Sequence, residues 1–177
     1  FPAHSGTEVD APLVFVPTHL RVVEVGENPQ IMNTSVYNNL IYGFKVEPKG
    51  DGLDATTKRI QALLLRLGVS DDVTLHLNDE YFVGAEGTKL SKDDQVALHF
   101  ARVFIMNPEV ILLHEPFTNV APEKAEKIME LLYEFVEKRG VIMEPFNEEP
   151  FCEEFVRRRK RTVIFTAKSN AFKVDKT

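Results

Sequence analysis

The sequence predicts an α/β fold on a mainly parallel sheet, and three features carry that reading. Val110–Leu113 is apolar at every position, as suits a buried parallel strand. Residues 92–106 and 122–138, on either side of it, place apolar side chains at helical spacing. The β-branched and aromatic run Val163–Phe165 then follows the second helix, and strands alternating with helices pair in parallel.

Taken in order, residues 1–19 carry turn and strand signals, with Ser5–Gly6 and the run Leu13–Val14–Phe15–Val16 closed by Pro17. Leu20 to Val25 reads as a short strand ended by Gly26, Asn28 and Pro29. Val36–Phe44 mixes apolar and polar residues, and Lys45–Gly52 is a loop. Asp54–Leu67 is a helix with Ile60, Leu63, Leu64 and Leu67 on one face and Gly68 as its stop. The helix Lys92–Met106 aligns Ala97, Phe100, Ala101, Phe104 and Ile105, and Asn107–Pro108 ends it. Pro122 opens the helix running to Lys138, with Ile128, Leu131, Leu132 and Phe135 inward and Gly140 as C-cap. Gly140–Arg159 holds two prolines and five glutamates and reads, over about 140–160, as a surface insertion. There is no internal repeat.

Composition narrows the function classes. The chain has 177 residues, 44% hydrophobic and 27% charged, which excludes a disordered tail and suits one domain or most of one. No apolar run approaches the roughly 18–20 residues of a membrane span. One cysteine, Cys152, allows neither an internal disulfide nor a cysteine-cluster zinc site, and no metal is expected. A net charge of −6 argues against nucleic acid, and the basic run Arg157–Arg161 reads as a helix end balanced by Glu148, Glu149, Glu153 and Glu154. Phe146, Phe151 and Phe155 serve either to dock a partner or to tether the insertion. His19, His76 and His99 show no ligand spacing.

Five segments then fall in register. They are Phe1–Asp10; Glu27–Asn28–Pro29 followed by Ser35–Gly43; Gly84–Ser91; Ile111–Pro116; and Thr162–Lys168. In this order they resemble the nucleotide-binding cassette of exporter-type ABC transporters, beginning just after its phosphate-binding loop. The resemblance implies a P-loop NTPase-like core (1–49 and 107–177) with an inserted helical subdomain at 50–106. It implies ATP and Mg²⁺ only if a G-x-x-x-x-G-K-[ST] loop precedes Phe1 in the parent chain, since none occurs within it. Phe1 in place of Met reads as a processed or trimmed end.

Measured against the family, several positions depart. The Q-loop glutamine corresponds to Glu27, the Walker B aspartate to His114, the D-loop aspartate to Ala121 and the switch histidine to Lys168. Imidazole is a poor second-shell acceptor for Mg²⁺, which favours oxygen. Glu115 keeps the carboxylate that the family uses to polarise water. A lone His114 reads as a histidine in a packed switch region rather than a metal ligand. The signature "LSGGQ" becomes Leu90–Ser91–Lys92–Asp93–Asp94. Side chains replace the glycines there, and two carboxylates stand where a phosphate would approach. At about 4 Å and an effective dielectric of about 20, each such unit repulsion is on the order of 4 kcal/mol. Ser91–x–x–Asp94 matches a capping box, so both carboxylates are expected to satisfy the helix's own N–H groups.

The resemblance therefore implies a catalytically degenerate cassette acting as a structural or regulatory part of a transporter or larger assembly. The alternatives are an active ATP-hydrolysing half-site with Glu115 as base, and a cassette remnant serving as accessory subunit of an organellar complex. Implied partners are a second cassette and a membrane-spanning domain or other subunits, on the cytosolic or matrix face of a membrane.

Overall fold

A computed structural model describes residues 16–43, 51–78, 82–118, 120–142 and 156–166, with only the helical backbone at 51–56. The Leu13–Val16 strand (all but Val16), most of the 140–160 insertion with its phenylalanines and glutamates, and Lys168 lie outside these residues.

The elements run β1 (Val22–Val25), α1 (Val36–Ile41), α2 (Asp51–Arg66), α3 (Asp71–Leu75), α4 (Lys92–Met106), β2 (Val110–His114), α5 (Pro122–Glu137) and β3 (Thr162–Thr166). The three strands form one parallel sheet in the order β1-β2-β3, with Val25 beside Leu113 and Leu113 beside Phe165. The α/β class and the parallel pairing therefore hold.

Strand alternation sends Val25, Ile111 and Leu113 into the core, with Val23, Val163 and Phe165 packed against it. Val22 and Ile164 point the other way and are exposed, while Val110 and Leu112 are half-buried. So β2, expected to be a buried strand throughout, is deeply buried on one face only. Its apolar run includes side chains that no described element covers fully.

α4 is the centre of the molecule. Every residue from Asp94 to Ile105 is buried, because α1, α2 and α5 all pack against it. Its Phe104 meets Phe135 of α5 at 5.9 Å between ring centroids, and its Phe100 stacks on Phe117 at 6.1 Å. Ile60, Leu63 and Leu64 of α2, with Leu67 just past its end, complete the contact, all within 1% of full burial.

The helix ends follow local chemistry. Asn107 closes α4 in the left-handed conformation (φ 47), which asparagine tolerates. At the end of α5 the left-handed residue is Arg139 (φ 57) rather than Gly140. Gly140 comes one place later, where its N–H closes a wider turn onto the Phe135 carbonyl at 2.9 Å. The mixed segment 36–44 opens with α1, because Ser35 caps it by accepting from the Asn38 N–H at 3.2 Å.

Candidate functional site

In open α/β sheets ligands sit outside the carboxyl ends of the strands. Glu27 follows the end of β1, and His114 and Glu115 stand at the end of β2, so the fold brings these candidates to one edge. A small open hollow there is lined by Gly26, Glu27, His99 and Pro116, the last adjacent to Glu115.

His114 is exposed, not packed as expected, and its Nδ1 lies 3.1 Å from the Thr166 hydroxyl of β3. Being the last residue of the strand, it follows the alternation away from the core. Glu115 turns the chain with φ 48, a conformation that costs a non-glycine residue about 1 kcal/mol. It is held there by its N–H, which donates to the Thr166 carbonyl at 3.2 Å, and by Thr118, whose hydroxyl donates to the Glu115 carbonyl at 3.1 Å. Among the described residues no group of histidine, cysteine, aspartate and glutamate could hold a metal ion.

The start of α4 carries the other half of the candidate set. Ser91 is the N-cap, its Oγ accepting from the Asp94 N–H at 3.0 Å while its hydroxyl donates to Asp94 Oδ2 at 2.8 Å. The two carboxylates do not cap their own helix as expected. Asp94, buried, turns to Ser70 before α3, accepting from its N–H at 3.1 Å and its hydroxyl at 3.0 Å. Asp93 accepts from the N–H of Ala121, at the start of α5, at 3.4 Å. The reason is competition: a buried carboxylate needs donors, and Ser70 and Ala121 begin helices without a side-chain cap of their own. Ala121, the D-loop candidate, is thus brought against the signature candidates Leu90–Asp94. Leu90 is buried, and Gln95 ties the preceding turn by donating to the carbonyls of Gly87 at 2.9 Å and Leu90 at 3.3 Å. Lys92 reaches forward along the helix and donates to Gln95 Oε1 at 3.3 Å.

Two residues that sequence reasoning missed as a unit lie in the middle of α4. His99 Nδ1 accepts from the Gln30 N–H at 3.0 Å, and Arg102 donates to the Gln30 carbonyl at 2.9 Å. Arg102 also holds Asn39 of α1, through its carbonyl at 2.7 Å and its side-chain oxygen at 2.9 Å. Burial, and secondarily the Arg102 charge, push the His99 pKa down to about 4. The available signal was two polar residues three apart in the otherwise apolar stretch Val96–Met106.

At the opposite end of the sheet, buried Glu109 gathers Arg21 (Nε at 3.3 Å), Arg161 (3.6 Å) and Arg159 (3.8 Å). Two members of the basic run therefore have a carboxylate partner that the sequence reading did not name. Burial alone would raise the Glu109 carboxyl, but the Arg21 hydrogen bonds and charge outweigh it and hold the pKa below the usual range.

No family model matches the chain. The chain is 28% identical, over 157 residues, to a phosphate import ATP-binding protein PstB 3 of Natronomonas pharaonis, a match covering 89% of this chain and 52% of the relative. The chain therefore spans about half the length of that curated relative. Its fold matches a bacterial Atm1-family ABC exporter solved with ATP bound, with a TM-score of 0.50 and 16% identity over 83% of this chain and 21% of the exporter chain.

Proposed function

We propose that this chain is a catalytically degenerate ABC-type nucleotide-binding domain acting as a structural or regulatory part of a transporter or larger assembly, a reading that its similarity to an ABC ATP-binding protein and its fold support. The observation that carries the reading is the start of α4, where the helix's free end is capped by Ser91 and flanked by Asp93 and Asp94. Both carboxylates are engaged within the chain.

The residues at these positions do not fit a magnesium–triphosphate group. His114 offers an imidazole where an oxygen acceptor is needed, and Asp93 and Asp94 add negative charge where phosphate would approach. Ala121 carries only a methyl group where the family has its D-loop carboxylate. A second cassette and a membrane-spanning domain are the proposed partners, at the cytosolic or matrix face of a membrane. Among the described residues no helix is long and apolar enough to cross one.

One observation favours the active half-site instead: Glu115 is retained, and its backbone is held in a strained turn at the end of β2. Phosphate release from Mg–ATP by the full-length protein, beside its Glu115→Gln variant, separates the readings. A degenerate cassette gives background release in both. Release that Glu115→Gln abolishes establishes the active half-site.

A further inference from the structure

The corner where α2 ends, α4 begins and α5 begins is held by polar side chains. Lys124, in the first turn of α5, donates to the Gly68 carbonyl just past the end of α2. Its ammonium also lies within electrostatic reach of both Asp94 and Asp93. Gly68 is left-handed (φ 63), and a Cβ there would meet the Lys127 ammonium at 2.8 Å, so a second lysine crowds the same turn. One step along, Arg66 of α2 pairs with Glu134 of α5 at 2.6 Å. The Asp94 bonds to Ser70 and the Asp93 bond to Ala121 close the ring.

We infer that Lys124 is the centre of an intramolecular latch that fastens the start of α4 to α5 and to the end of α2, keeping the Ser91–Asp94 turn closed against any ligand or partner. Three links support it. Asp93 and Asp94 are adjacent like charges at a helix start, and the half-buried Lys124 ammonium within electrostatic reach of both eases their mutual repulsion. The Lys124 ammonium satisfies a carbonyl left open at the end of α2, which no backbone N–H of that helix can reach. Above the buried Leu67, Val69 and Leu90, the contacts between these helix ends are charged or hydrogen-bonded, and such a polar junction can open locally without dismantling the core beneath. The inference deepens the proposed function, resting on the reading that this turn is closed, and names what closes it.

Hydrogen exchange of the full-length protein tests it. Lys124→Met should speed exchange roughly tenfold at the Val69, Asp94 and Gln95 amides and leave the β2 amides of Ile111–Leu113 unchanged. Lys124→Arg, which keeps the charge, should preserve wild-type rates. If Lys124→Met does not fold, Glu134→Gln tests the neighbouring link and should speed Val69 in the same selective way. Unchanged rates at all three reporters, or equal acceleration of β2, overturns the latch. That result leaves the degenerate reading standing, whereas ATP turnover would overturn the degenerate reading without altering these exchange rates.

Discussion

Acidifying the protein removes stability through one identifiable side chain, His99. In the fold its Nδ1 accepts from the Gln30 N–H, so only the neutral ring fits, and its pKa falls to about 4 from the ordinary 6.5. The unfolded chain takes up the proton below pH 6.5 while the folded chain resists until about 4. The stabilising contribution is therefore complete above 6.5 and is lost as the pH falls toward 4. From these two values the loss between pH 7 and pH 4 is about 3 kcal/mol. Urea unfolding of wild type and His99→Gln at pH 7, 5.5 and 4.5 isolates it from the many carboxylates, which titrate in both. The stability advantage of wild type over the variant should shrink by about 2 kcal/mol between pH 7 and pH 4.5. A difference that stays constant with pH, or a His99 ring that titrates near 6.5 by NMR in the folded protein, refutes the reasoning. With protonation the Gln30 bond breaks, so the segment carrying Glu27 should loosen over the same pH window.

Three further outcomes follow from the packing and the polar contacts. Glu109→Gln strips the carboxylate from three guanidiniums, one of them, Arg161, with only 6% of its side chain exposed, and should cost about 3 kcal/mol in denaturant unfolding. Because the Glu109 carboxyl is held below the usual range, its contribution is present above the ordinary carboxylate pKa and disappears as the pH falls through the folded value. The acid side of the wild-type stability curve should therefore flatten in Glu109→Gln. Phe135→Ala empties a fully buried site beside Phe104 and should lower stability by about 3–5 kcal/mol, read as a fall in the urea midpoint at constant slope. Ser91→Ala removes the N-cap of α4 and one donor to Asp94, and should cost about 1–2 kcal/mol in the same assay.

Legibility in the sequence tracked the strength of the local signal. α4 and α5 begin where expected because an N-cap serine and an N1 proline coincide with long apolar periodicity, and both end within a residue of expectation. Six-residue α1 and five-residue α3 escaped because neither is long enough to show a period, although Ser35 was a readable cap. At the site, the positions of Glu27, His114 and Glu115 followed from motif order, and the parallel sheet brings them to one edge. The partners of Asp93 and Asp94 were not readable. Ser70 and Ala121 are distant in sequence, and which donors a buried carboxylate finds is decided by how the helix ends meet. The same holds for Glu109, whose partners lie 88 residues before it in Arg21 and some fifty after it in Arg159 and Arg161.

The measurement that bears most directly on the account is a titration of the full-length protein with Mg–ATP, with and without a second cassette, followed through the amide resonances of Ser91–Gln95. Those resonances should stay where they are at saturating nucleotide. Saturable shifts confined to that turn, accompanied by Mg²⁺-dependent phosphate release, would contradict it.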